Sequence, residues 1–184
     1  MLGANSISVL KPNVSQEEAL RAFSAANLSA LYWRMRGGRL RRIADVYVPF
    51  RVYRVSYEIR KVAYTRLFAI DAVDGSLDLF AFPRTPAAGE FVTIDTRNRL
   101  ISSLDQVRIG ALLYEKVLRV IFQQGFFKLS EPKLQLQPEP GELHMPYWLA
   151  FYGGQILRCR AMDAVRRRFE GAKASAFFEQ WLAA

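Results

Sequence analysis

Apolar residues recur at helical spacing in three stretches of the chain, and the segments between them read as strands. The first helical stretch opens on Ser15-Gln16-Glu17-Glu18, a capping box with Ser15 as N-cap and Glu18 three residues on. Leu20, Phe23, Leu28 and Leu31 widen its apolar face, and Gly37-Gly38 supplies a left-handed stop. The pattern predicts a helix over about 16–36. A second helix is predicted from near Ser103 to about Gln124, with Asp105 in its first turn. Val107, Ala111, Tyr114, Leu118 and Ile121 form its stripe, and Leu113, Val117 and Phe122 extend it, so much of the circumference should be buried. The third helix, about 170–183, places Ala174, Phe177, Phe178, Trp181 and Leu182 at helical spacing.

Between the first two helices, residues 43–57 are rich in Val, Tyr and Phe, with one interruption at Pro49. Residues 64–72 and 76–82 flank Asp74-Gly75, which predicts a two-residue hairpin with a type I′ turn and positive φ at both positions. Residues 83–90 have linker composition, and 91–95 read as a short strand. Residues 126–137 alternate weakly, 138–141 form a Pro-Gly loop, and 146–151 and 156–165 read as strands joined at Gly153-Gly154.

Self-comparison finds a repeat. Ala69-Ile70-Asp71-Ala72-Val73 returns as Ala161-Met162-Asp163-Ala164-Val165, and Val48-Pro49-Phe50 returns as Met145-Pro146-Tyr147. The difference in spacing falls in the intervening hairpin, which is longer in the first copy. Each copy has a long helix, a Pro-aromatic strand and a strand ending in Asp-Ala-Val. The expected fold is α+β, with two similar helix-plus-antiparallel-sheet units at 1–90 and 91–184, the second carrying the C-terminal helix.

Val14-Ser15-Gln16-Glu17-Glu18-Ala19-Leu20, followed by Phe68-Ala69-Ile70-Asp71-Ala72-Val73-Asp74-Gly75-Ser76-Leu77, resembles a PepSY domain. The resemblance covers about 13–82 and extends faintly over 104–165, where Arg166-Arg167-Arg168 replaces the Asp-Gly turn. It implies a small helix-on-sheet module that binds or inhibits other proteins and has no catalysis of its own.

Composition narrows the chemistry. With 51% hydrophobic and 23% charged residues the chain is globular, and at 184 residues it can bury a core without disulfides or metal. Cys159 is the sole cysteine, so no internal disulfide forms. The N-terminal residues lack a basic and then apolar leader pattern, and the longest uncharged run contains Pro146 and two glycines, so neither a signal peptide nor a spanning helix is expected. The expected location is the cytoplasm. The net charge of +9 comes mainly from 20 arginines against 6 lysines, which has two readings, an anionic partner or a compositional preference for arginine codons.

Candidate chemistry is sparse. His144, the sole histidine, reads as a strand-entry residue rather than one member of a triad. Cys159 lies between Arg158 and Arg160, but strand alternation places it opposite both and in register with Leu67, as a small buried hydrophobe. No zinc-ligand spacing or phosphate-binding glycine loop is present, so no cofactor or metal is expected. Asp71 and Asp163 have two readings. They are structural carboxylates closing their turns, or a general acid/base dyad if the fold brings them together.

The basic candidates are Arg34, Arg36, Arg39, Arg41 and Arg42, nine positions without an acid, followed by Arg51 and Tyr53. Alternation puts Tyr47, Arg51, Tyr53 and Tyr57 on one strand face, opposite Val48, Phe50 and Val52; in the second copy Trp148, Ala150 and Tyr152 replace the arginine-bearing face. Aromatics interleaved with arginines can stack bases while the cluster holds phosphates. The terminal helix, after Arg166-Arg167-Arg168, either docks on the second sheet or lies on an anionic membrane; docking is preferred. The expected function is a non-catalytic binding module for a protein partner or for self-association, with nucleic-acid binding through the 34–42 region as the alternative.

Overall fold

The Ser15 capping box forms. Ser15 Oγ accepts the Glu18 N–H at 3.2 Å, and the Glu18 carboxylate accepts the Ser15 N–H at 2.8 Å. It starts α1 (Gln16–Ser24). The computed structural model describes residues 6–25, 33, 35, 38–59, 61–123, 133–153 and 158–183. The expected single helix to residue 36 is interrupted, because Ala25 leaves the helical conformation with ψ 138; most of 26–36 lies outside the described residues, and Gly38 holds a left-handed φ of +82.

The chain divides into two compact units, and they are not the sequential halves 1–90 and 91–184. One comprises residues 1–48, 91–100 and 144–184; the other comprises 49–90 and 101–143. The strand β2 (Leu40–Ile59) passes through both.

The first unit holds α1, β1 (Ser6–Leu10), the start of β2, β5 (Phe91–Asp95), nearly all of β7 (Leu143–Tyr152), β8 (Arg158–Asp163), β9 (Arg168–Phe169) and α3 (Ala172–Ala183). β1 runs antiparallel to β5 from Ser6↔Asp95 to Leu10↔Phe91. β7 and β8 pair from Tyr147↔Asp163 to Tyr152↔Arg158. On one face of that hairpin, Ala19 and Phe23 of α1 pack with Ala150, Tyr152, Met162 and Ala164. Phe178 of α3 meets the Tyr147 ring at 5.5 Å, and α3 packs along β8, so the terminal helix docks as expected. A hairpin covered on both faces needs a near-continuous apolar run, and Met145 to Phe151 supply it. The same double cover buries Arg160, on the face opposite Cys159.

The second unit holds the rest of β2 with β3 (Val62–Asp71), β4 (Phe80–Ala81), β6 (Gln135–Pro138) and α2 (Gln106–Gln123). β2 and β3 pair antiparallel from Phe50↔Asp71 to Ile59↔Val62, and β6 lies along Tyr53 to Ser56. α2 buries Ile109, Leu113, Val117 and Ile121 on Tyr53, Val55, Tyr57, Phe68 and Ile70. This stripe is rotated from the expected one, and Val107 is 84% exposed. Complete burial of an Ile or Leu side chain contributes about 1.5–3 kcal/mol, so this stripe holds the unit together.

The connection after β3 differs from the expected hairpin. Gly75 has φ +71, but Asp74 does not adopt a positive φ, so the turn is not type I′. The second strand shrinks to Phe80–Ala81 because the Asp71 carboxylate draws residues 73–77 around itself. β1, β6 and β9 were not anticipated.

The same hydrogen bonds recur in the two units. Phe50 pairs with Asp71, and Tyr147 pairs with Asp163. Ala72 N–H donates to the Pro49 carbonyl, and Ala164 N–H to that of Pro146. Ser103 N–H donates to the Ala72 carbonyl two residues before Asp105, whose side chain caps α2; Asn13 N–H donates to the Ala164 carbonyl two residues before the α1 cap Ser15. Parallel bridges Tyr47↔Arg99 and Val9↔His144 stand at matching distances from Pro49 and Pro146, although all four residues fall in the first unit. Four residues beyond each aspartate the chain turns left-handed, at Gly75 (φ +71) and Arg167 (φ +58). Each unit therefore joins a helix from one half of the sequence to a hairpin from the other.

Candidate functional site

The repeated aspartates are consumed by their own turns. Asp71 is fully buried, and its Oδ1 accepts N–H groups from Val73, Asp74 and Gly75 while Oδ2 accepts that of Leu77. Burial holds its carboxyl above the usual range against the opposing pull of those donors. Asp163 Oδ1 accepts from Val165 and Arg166, and its Oδ2 takes the Arg166 Nε–H. Asp71 and Asp163 belong to different units, and these partners are those of structural carboxylates.

Cys159 is buried, and its thiol is pushed up to about 12 by burial and then by Glu179. That disfavours the reactive thiolate. His144 is buried within β7 instead of standing at an exposed strand entry. Arg160 stacks on the Phe169 ring at 3.6 Å, and its burial lowers its pKa. Among the described residues no group of three or more His, Cys, Asp or Glu side chains gathers to hold a metal, and no helix is long and apolar enough to cross a membrane.

The arginine run divides. Arg34 and Arg36 lie outside the described residues. Arg39, Arg41 and Arg42 are exposed in the first unit, where Arg42 sits 5.0 Å over the Phe151 ring. None of the three has a carboxylate within ion-pair distance among the described residues. Arg54, Arg84, Arg158 and Arg167, by contrast, pair with Glu139, Glu90, Glu179 and Glu18.

Arg51 and Tyr53 fall in the second unit, and there the expected aromatic face is corrected. Tyr53 is 4% exposed and Tyr57 is 5% exposed, both beneath α2, because the odd-numbered face of β2 from residue 53 onward carries the helix. Burial raises both tyrosine pKa values. Neither ring presents a surface on which a base can stack.

No family model, curated protein or solved structure matches the chain.

Arg51 and Tyr53 are nevertheless brought together at a cavity of about 400 Å³, with Leu104, Gln106, Ile109 and the 138–141 loop completing its wall. Arg51 reaches the Gly141 carbonyl at 3.4 Å and Glu142 at 3.6 Å, both long contacts. The guanidinium also acts electrostatically on Tyr53, favouring its ionised form against burial. Sequence reasoning found two of these residues but not the wall. Leu104 and Ile109 fall within the predicted second helix, but neither was assigned to its apolar stripe, and their convergence with β2 depends on which hairpin α2 covers.

Proposed function

We propose that the protein is a non-catalytic interaction module, built by duplication of a helix-and-hairpin element, whose Arg39–Arg42 strand docks an acidic segment of a partner protein. The observation that carries the reading is the state of Arg39, Arg41 and Arg42, exposed and without carboxylate partners among the described residues. Three like charges in four positions repel one another, and an acidic partner removes that repulsion. A second copy of this +9 chain is a poor electrostatic partner for the same strand.

The repeated hydrogen bonds at Pro49 and Pro146, Ala72 and Ala164, and Ser103 and Asn13 support the duplication. Asp71, Asp163 and Cys159 support the non-catalytic character, since their polar atoms serve turns and core. The resemblance to PepSY domains belongs to the same proposal, as a family trait of binding without chemistry. Nucleic-acid binding is the weaker reading because Tyr53 and Tyr57 are packed under α2.

Fluorescence anisotropy with a labelled Asp/Glu-rich peptide tests this, beside duplex DNA and single-stranded RNA probes. The peptide should bind, weaken with salt, and lose about tenfold in affinity in an Arg39→Ala/Arg41→Ala/Arg42→Ala variant, roughly 0.5 kcal/mol per exposed pair. Peptide binding unchanged in the variant contradicts the proposal. Tighter binding to nucleic acid, lost in the same variant, favours the alternative.

A further inference from the structure

Arg51 follows Phe50 in β2 as Trp148 follows Tyr147 in β7, and the registers Phe50↔Asp71 and Tyr147↔Asp163 make the two positions equivalent. Both side chains leave the sheet on the face that carries the unit's helix, beside Tyr53 and Ala150 respectively. In the first unit the Trp148 indole fills the angle between strand and helix start, and Nε1–H donates to the Val14 carbonyl at 3.0 Å. The residue matching Val14 is Leu104, since each follows the residue whose N–H bonds to Ala164 or Ala72.

In the second unit no indole fills that angle. Arg51 turns outward to Gly141 and Glu142, and the cavity of about 400 Å³ opens against Leu104, Ile109 and Tyr53. This volume lies within the range of small-molecule sites, roughly 300–1,000 Å³. Tyr53 is 4% exposed as a whole residue, and its hydroxyl, at the cavity wall, forms no hydrogen bond with the described residues. The hydroxyl is therefore free to hydrogen-bond a ligand that enters the cavity.

We propose that this cavity binds a small planar aromatic acid, its ring occupying the volume that Trp148 fills in the first unit and its carboxylate meeting Arg51 and Tyr53. A ring N–H has the Leu104 carbonyl as acceptor, as Trp148 has that of Val14. The planar guanidinium matches a carboxylate with two parallel hydrogen bonds. Glu139 also lines the cavity, but Arg54 holds it at 2.7 Å and offsets its charge. Glu142 meets Arg51 loosely at 3.6 Å and also accepts from the Ser102 hydroxyl, so a ligand carboxylate can replace it on Arg51.

The inference needs only the matching hydrogen bonds, and its probes and variants are separate from those of the arginine strand. Titration of the full chain with indole-3-propionate, followed by calorimetry or ligand-observed NMR, should give saturable equimolar binding with Kd below about 1 mM. Arg51→Trp, which refills the cavity with the chain's own indole, should abolish that binding and leave the thermal transition intact or higher. Arg51→Gln should weaken indole-3-propionate about tenfold while leaving neutral 3-methylindole unchanged. If Arg51→Trp fails to fold, Arg51→Gln decides: equal losses for the acid and the neutral compound, or no loss for either, overturn the proposal. So does wild-type protein that shows no saturation by about 10 mM, or a folded Arg51→Trp variant that binds as wild type does.

Discussion

A Cβ placed on Gly75 would lie 2.5 Å from Cδ1 of Leu112 in α2. Gly75 also has φ +71, which L side chains rarely adopt. Two independent demands therefore fall on one residue, backbone conformation and close approach. Gly75→Ala should cost about 1–3 kcal/mol in a urea melt, from left-handed strain plus displacement of Leu112. Gly141 provides the control, with φ +87 and nothing within 4 Å of its would-be Cβ. Gly141→Ala should cost only the strain, about 1–2 kcal/mol. Equal costs at the two sites would show that Leu112 does not press on the turn.

Asp71 and Asp163 should respond to substitution as structural groups. In Asp71→Asn, the amide NH2 cannot accept a hydrogen bond from the backbone, so the Oδ2 contact to Leu77 or one of the Oδ1 contacts is lost. The expected destabilisation is about 1–3 kcal/mol, and Asp163→Asn should lose a similar amount through Arg166. Denaturant melts that leave both variants as stable as wild type would reject the role.

These two residues also mark what the sequence makes legible. The Asp-Ala-Val and Pro-aromatic repeats are local, so matched registers across Phe50 and Asp71, and Tyr147 and Asp163, follow from short motifs. The helix partners do not. The apolar stripe of α2 says that it is buried, but nothing in Leu113 or Val117 says whether Tyr53 or Tyr152 lies beneath it. The face of β2 was misread for a related reason. Val46, Val48 and Phe50 are buried on the even positions, then Tyr53, Val55, Tyr57 and Ile59 on the odd ones. A single alternation cannot describe a 20-residue strand whose buried face changes partway. β1 is only five residues long and pairs with β5 more than eighty positions away, beyond the reach of a local pattern.

Cys159 gives a pH prediction. Its thiol is raised from 9.0 to about 12, so above pH 9 the unfolded chain releases a proton that the folded chain keeps. The associated stability is fully present below pH 9 and is lost as pH rises toward about 12. Cys159→Ala should flatten that alkaline decline. The native thiol should react with a disulfide reagent at pH 8 far more slowly than the denatured chain does; equal rates would contradict the buried placement.

The central claim of the account is that each unit combines a helix from one half of the chain with a hairpin from the other. Residues 1–90 alone carry α1 without β7 and β8, and carry β2 and β3 without α2. Each half therefore exposes an apolar hairpin face and an apolar helix face with no partner of its own. The direct measurement is to produce 1–90 and 91–184 as separate chains and record denaturant melts and sedimentation for each alone and for the mixture. The account predicts no cooperative transition for either half and a cooperatively folded equimolar complex on mixing. A cooperative, monomeric fold formed by either half on its own would contradict it.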